Sequence, residues 1–307
     1  MLKSWLLRLH RWTTLVFALP LAIVILTGLV LSVEPIAQDL GSRQSPVNSE
    51  RLLGLLSQHD PAGKARSIAV RAYENRLNLS GVGPEGSLDL DLTTGQPVDD
   101  SERTLLSDVF LASRLLHEHF ILDQRWVVTA STIAMLVLIA LGVLMGWPRL
   151  RHSISGWHQG MAWIGLPLLV LSPLTGLAIV LGITFQPAAP RVRAEPVPVR
   201  QAVERLAEKT DISGLIWMRQ RGGRLLARVN EQGQFRVYAI SADGAALQSQ
   251  NWPRALHEGN FAGAWSGVMV LVTSIGFIGL LMTGLWIYTR RALRKRNPRP
   301  RPQPSTA

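Results

Sequence analysis

The 307-residue chain contains no cysteine. That excludes disulfides, thiolate-held iron–sulfur clusters and covalent attachment of a c-type haem, so any metal centre rests on histidine, carboxylate or methionine. Charge is absent from four stretches, Trp12–Val33, Trp126–Trp147, Met161–Ile183 and Gly263–Thr289. Interiors without Asp, Glu, Lys or Arg argue against a coupled transporter, whose ion or proton path ordinarily needs ionisable groups there. Neither a Walker-type loop nor a GxGxxG strand–turn–helix is present, so the chain carries no evident nucleotide or NAD(P)H site of its own and an electron donor would come from elsewhere.

What is present is apolar length. Each stretch holds roughly 20 residues or more, enough for an α-helix to cross a hydrocarbon core of about 30 Å. Four transmembrane helices are expected. The first is longer than the roughly 7–15-residue apolar segment of a secretory signal and no small-x-small cleavage site follows it, so it is read as a retained anchor. Lys3, Arg8 and Arg11 precede it, Arg149 and Arg151 sit between the second and third stretches, and Arg290, Arg291, Arg294, Lys295, Arg296, Arg299 and Arg301 follow the fourth. With no acid among them, these cations put both termini and the Pro148–Gly156 turn in the cytoplasm of a bacterial inner membrane. The remaining 20 basic residues face all 21 acids, so the formal +11 divides into +12 inside and −1 outside. Membrane topology, not nucleic acid, explains the high isoelectric point.

The chain also repeats itself. LTGL occurs at Leu26–Leu29 and Leu174–Leu177, and His10 and His158 each lie 17 residues before the threonine. LHE occurs at Leu116–Glu118 and Leu256–Glu258, and the tryptophan brackets that follow, Trp126–Trp147 and Trp265–Trp286, are equally long. Similarity at fixed offsets predicts an internal duplication. The expected organisation is an N-terminus and first helix (1–33), an outer module (34–115), a histidine lead-in and second helix (116–148), an inner turn and third helix (149–183), a second outer module (184–255), a lead-in and fourth helix (256–289), and a basic cytoplasmic tail (290–307).

The two outer segments are long enough for small domains, and each reads as a helix followed by strands. In the first, Ser49 caps ERLLGLLSQ; SIAVRAY and RLNLSGV then lead through Pro84-Glu85-Gly86 into SLDLDL. In the second, the amphipathic VRQAVERLAEK is followed by LIWMRQ and RLLARVN, which lead through Glu231-Gln232-Gly233 into QFRVYAI and then Asp243-Gly244. Alternation broken by turn residues predicts hairpins in both. The fold class is therefore an all-α four-helix transmembrane bundle with two small α+β periplasmic modules.

At 1.5 Å per residue His10 lies roughly 25 Å along its helix from Thr27, near the cytoplasmic surface, and His158 occupies the equivalent depth. A haem held by two imidazoles needs its ligands on facing helices at one depth. His10 with His158, and His117 with His257 near the periplasmic boundary, meet that requirement. A single interfacial histidine is ordinarily an anchor; pairing related by the repeat favours ligation. His119 rivals His117 and that choice stays open, although Gly259 stands at its equivalent position, while His59 and His152 have no counterpart. Arg8, Arg11 and Arg151 match propionate geometry as a secondary role. Gly142, Gly146, Gly263, Gly267, Gly276, Gly279 and Gly284 would admit a neighbouring helix or a flat macrocycle.

LHRW before the first span, modules ending in the DLTTGQ turn, LHE before the even spans and LTGL within the odd ones, in that order, resemble the PepSY-associated transmembrane proteins, often described as iron-regulated. Within that group the chain looks most like the haem-containing integral membrane ferric-siderophore reductases, over Trp5 to Arg291. The resemblance implies PepSY-fold modules, two b-type haems on His10, His158, His117 and His257, and an oxidoreductase that delivers electrons to a ferric siderophore from a cytoplasmic flavin reductase or quinol. The alternatives are a membrane-anchored PepSY protein that restrains a protease or binds a peptide, with no redox centre, and a haem-bearing structural subunit.

Overall fold

The computed structural model describes residues 2–99, 104–148, 151–187 and 197–296. Arg149, Arg299 and Arg301, counted above among the inner cations, lie outside the described residues. In chain order the first half gives α1 (Leu2–Leu31), α2 (Glu34–Ser42), α3 (Ser49–His59), β1 (Ser67–Arg71), β2 (Arg76–Ser80), β3 (Ser87–Asp91), α4 (Leu105–His119) and α5 (Arg125–Leu144). The second gives α6 (Ile154–Ile164), α7 (Leu166–Val180), α8 (Val199–Ala207), β4 (Leu215–Arg221), β5 (Arg224–Glu231), β6 (Gln234–Ser241), β7 (Gly244–Leu247), α9 (Trp252–Glu258) and α10 (Ala264–Arg296).

Three helical stretches are long and apolar enough to cross a membrane, Leu2–Ser42, Arg125–Leu144 and Ala264–Leu293. The third expected span is a pair instead: α6 and α7 together pass the same test but meet at an angle of 65°. Gly165 lies at the break, and Pro167 in the first turn of α7 has no N–H to continue the ladder and a ring that crowds the carbonyl of Trp163. Leu21 and Ile25 of α1, Met135 of α5, Leu169 of α7 and Phe277 of α10 pack into one apolar cluster. Val16, Leu19, Leu26, Ile133, Val272, Ile275 and Met282 point outward and exposed, a distribution suited to lipid, where the hydrocarbon asks only that backbone groups be satisfied within the helix.

The strands of the two outer segments do not form separate sheets. They join in one antiparallel sheet of order β3-β2-β1-β4-β5-β6-β7, with the seam at Ser67↔Arg219, Ile68↔Met218 and Ala69↔Trp217. Every strand expected from alternation is present, and β7 adds an edge after the Asp243-Gly244 turn. Between β5 and β6, Gln232 and Gly233 both take positive φ, 52° and 82°, the two-residue turn whose twist matches a hairpin. The cap of α3 is Asn48, whose Oδ1 accepts from the Arg51 N–H at 2.7 Å; Ser49 is already helical.

Because side chains alternate along a strand, one sheet face carries Ile68, Val70, Leu77, Leu79, Leu90, Met218, Ala227, Val229 and Ile240. Leu52, Leu55 and Leu56 of α3, with Ala202, Val203 and Leu206 of α8, cover that face in a single core. The opposite face mixes Ser67, Asn78, Asp89 and the arginines of β4 and β5 with Trp217, Leu226 and Phe235. The helix α2 ties sheet to spans: the Gln38 amide donates to the Val70 carbonyl (3.3 Å), Asp39 accepts from Asn230 (2.9 Å), and Ile36 lies against Gly267 of α10.

Candidate functional site

Four of the seven histidines meet in two pairs. The His10 and His158 rings lie with centroids 6.5 Å apart and nearly perpendicular, at 84°. The His117 and His257 rings lie 6.1 Å apart and tilted by 41°. The first pair is built from α1 and α6, near the end of the helical region remote from the sheet. The second comes from α4 and α9, which lead into α5 and α10 without being part of them. Between Thr27, beside the second pair, and His10 in the first, α1 climbs roughly 25 Å, and the Leu21–Ile25–Met135–Leu169–Phe277 cluster fills the interval.

The LTGL repeats are the seats of the LHE histidines. His117 Nδ1 donates to the Val24 carbonyl at 3.0 Å and lies 3.1 Å from Thr27 Oγ1; His257 Nδ1 donates to the Ser172 carbonyl at 3.0 Å and lies 3.3 Å from Thr175 Oγ1. A carbonyl only accepts, so in both rings Nδ1 carries the proton and Nε2 keeps its lone pair when the ring is neutral. Glycine makes the approach possible. A Cβ tilts toward the helix N-terminus and shields the preceding turn; at Gly28 it would stand 3.1 Å from His117 Cε1, and at Gly176 3.0 Å from His257 Cε1.

A third Thr-Gly serves the other pair. His158 Nδ1 lies 2.8 Å from Thr283 Oγ1, whose own hydroxyl donates to the Gly279 carbonyl, so the ring again gives its Nδ1 proton. Gly284 follows, with space for a Cβ at 3.5 Å from His158 Cε1. Sequence reasoning missed Thr283, although the dipeptide stands in LMTGL at Leu281–Leu285 and matches the repeats it did use. The His10 ring has no such seat, and it makes no hydrogen bond among the described residues.

The remaining candidates fall elsewhere. His119 turns from the pair to Asp123, with Nδ1 2.6 Å from the carboxylate. The His59 ring donates to the Gly95 carbonyl at 2.9 Å, closing the DLTTGQ turn, and His152 is exposed. Arg8, Arg11 and Arg151 are exposed at the end that holds His10 and His158. Of the glycines, Gly142 and Gly146 meet nothing within 4 Å, whereas Gly267, Gly276 and Gly279 admit Ile36, Leu169 and Met161; these three serve helix packing. Beside His257, burial works to raise Glu258, but Arg228 and Arg254 outweigh it and hold the carboxyl below its usual range. Arg254 binds it at 2.6 Å and Arg228 at 3.3 Å.

Apolar helices with outward-facing side chains, joined to an α+β sheet, define a membrane protein with an extramembrane domain. Residues 7–291, which include every residue of both pairs and their seats, match the family model described as the PepSY-associated TM region, and the chain belongs to that family. A comparison with curated proteins returned no match.

Proposed function

We propose that the chain is a transmembrane electron-transfer protein holding two b-type haems, one between His10 and His158 and one between His117 and His257, that reduces a ferric chelate of the siderophore class on the sheet side. The observation that carries this reading is the spacing of the rings. Two imidazoles bound through nitrogen to opposite sides of one metal, at about 2 Å each, bring their centroids to roughly 6 Å; the pairs stand at 6.5 and 6.1 Å. Among the described residues no third His, Cys, Asp or Glu converges on either. Two side-chain ligands do not satisfy a bare ion, but they suit iron whose other positions belong to a porphyrin.

Haem held by these histidines would supply one-electron Fe(III)/Fe(II) chemistry of the kind suited to outer-sphere transfer. The chain's own part is positioning. Val24, Ser172 and Thr283 fix three rings with Nε2 free, as metal-binding imidazoles require of their outer partners. The apolar cluster of Leu21, Ile25, Met135, Leu169 and Phe277 lies between the pairs. Glu258, a carboxylate beside His257, holds Arg228 and Arg254 next to the outer pair. Arg8, Arg11 and Arg151 are available at the inner end to propionates or to a docking donor, either a cytoplasmic flavin reductase or quinol. In this reading the duplication sets one ligand of each pair in each half, both termini are cytoplasmic, and the sheet stands in the periplasm.

A reduced-minus-oxidised absorption spectrum of the detergent-purified protein tests the proposal. A bis-imidazole α band is expected, and His→Ala at any of the four positions should remove about half of it, one site of two. Colourless protein would overturn the reading in favour of a PepSY binding or regulatory role; haem without ferric reduction by the isolated protein would leave a structural subunit.

A further inference from the structure

In the second half of the sheet, the face opposite the core is concentrated in arginine. On β4, Trp217, Arg219 and Arg221 point to this face, and across the β4–β5 ladder their partners are Arg228, Leu226 and Arg224. Of these, Trp217, Arg221, Arg224, Leu226 and Arg228, with Phe235 of β6 and Arg254 of α9, line an open cleft of about 860 Å³, within the range of roughly 300–1,000 Å³ typical of small-molecule sites; Arg219 stands beside it, stacked on the lining Trp217. Two of the guanidiniums are held by stacking. Arg219 lies over the Trp217 ring at 4.4 Å to its centroid, and Arg228 over the same ring at 5.3 Å. Stacking of this kind fixes the planar fork that recognises carboxylate-type oxygens.

The cations exceed the anions that meet them. Glu258 is shared by Arg228 and Arg254, while Arg219 and Arg221 enter no ion pair among the described residues. Burial, and then the neighbouring Arg221, Arg228 and Arg254, pull Arg219 below the ordinary guanidinium value, as expected where like charges gather without a counterion. The position is specific as well. Arg254 and Ala255 line the cleft, and His257 lies three residues beyond Arg254 on the same helix, so about one turn, roughly 5 Å of rise, separates the cleft from the outer histidine pair.

We propose that this cleft binds a small polyanionic ferric chelate, one whose iron is wrapped by carboxylate or catecholate oxygens and whose complex bears a net negative charge. The inference rests on the redox reading above for the fate of the iron, but not for the binding. Anionic oxygens at the rim of the complex meet Arg221 in the cleft, with Arg219 adding its charge from its place over the Trp217 ring, and an organic arm lies along Trp217 and Phe235. A cationic chelate of the same size is rejected by the same arginines, since discrimination comes from repulsion as much as from attraction.

Gallium(III) citrate is the probe: it copies a ferric polycarboxylate and accepts no electron. In equilibrium dialysis with the detergent-purified full-length protein, it should bind at least about tenfold more tightly than a cationic gallium trihydroxamate complex, and binding should weaken as salt rises. The Arg219→Gln/Arg221→Gln pair should lower that affinity about tenfold and leave any haem spectrum unchanged, because neither side chain touches a histidine. Should the double variant not fold, Arg221→Glu, exposed at the end of β4, carries the same test. Equal affinity for the two complexes, or wild-type binding by the variants, overturns the proposal. So does arginine-dependent capture of phosphatidylglycerol nanodiscs without binding of gallium citrate. Gallium binding by colourless protein would retain the cleft and remove the redox reading; haem and ferric reduction with no gallium citrate bound would do the reverse.

Discussion

His117 and His257 face one another at 6.1 Å between ring centroids although 140 residues separate them in the chain. Neither is carried by a long apolar helix. Each sits on a short helix laid against a spanning one, α4 on α1 and α9 on α7, and each drops onto a bare stretch of its neighbour's backbone. The carbonyls that receive them, Val24 and Ser172, lie four residues before Gly28 and Gly176, so the missing Cβ atoms open the approach.

Gly176→Ala and Gly284→Ala should therefore behave differently. The added methyl stands 3.0 Å from His257 Cε1 in the first and 3.5 Å from His158 Cε1 in the second, so the first displaces its ring by a few tenths of an ångström and the second makes ordinary contact. Under the two-haem reading, Gly176→Ala loses about half of the haem, one site of two, and Gly284→Ala retains it. The haem-to-protein ratio of the purified variants decides the matter, and equal loss in both would contradict the seating described here.

The Thr27 hydroxyl donates within its own helix to Ile23 and offers its oxygen to His117. Thr27→Val keeps the shape and removes that second acceptor while the Val24 carbonyl remains. A loss of about 1 kcal/mol is expected, against a larger loss for Thr27→Leu, which drives added bulk into the ring. Thermal unfolding in detergent reads the ranking.

Asp91 organises the DLTTGQ turn. Its carboxylate accepts from the Thr94 N–H at 2.6 Å, the Thr93 N–H at 2.9 Å and the Asn75 amide at 3.0 Å, and the Thr94 hydrogen bond in particular holds it below the usual carboxylate range. A depressed carboxyl contributes stability above its unfolded pKa and loses it as pH falls through the folded value. Asp91→Asn should cost about 1–2 kcal/mol near neutral pH, and the gap to wild type should close in acid. Chemical unfolding at neutral and acidic pH measures both.

Gly41 is where α2 meets the sheet domain. A Cβ there would stand 2.5 Å from the Tyr73 nitrogen and 2.7 Å from the Ala72 carbonyl carbon, and backbone cannot swing aside as a side chain can. Gly41→Ala should cost about 1–3 kcal/mol and loosen the sheet from the spans, read as faster proteolysis between Ser42 and Ser49 with the long helices intact. Unchanged cleavage would place the anchorage elsewhere.

The strands were legible because SLDLDL and QFRVYAI alternate with period two and stop at turn residues. The histidine pairs were legible because repetition supplied a comparison that a lone residue lacks. What remained hidden depended on contacts between distant segments. Nothing local in SIAVR says that its free edge pairs with LIWMRQR, so one sheet was read as two modules. The bend at Gly165 was written in Pro167 but masked by unbroken hydrophobicity. The arginines of β4 and β5 read only as charge until the ladder set them on one face beside Trp217.

The seam between β1 and β4 also bears on biogenesis. Strand β1 is synthesised well before its partner, and α5, α6 and α7 stand between them in the chain, so Ala69 and Ser67 wait long for Trp217 and Arg219. Until then Leu52, Leu55 and Leu56 lack Val203 and Leu206, and an unprotected strand edge faces solvent, a state prone to mispairing. The early half thus waits for the late one, and a nascent chain stalled after α5 is the form that most needs a holding chaperone.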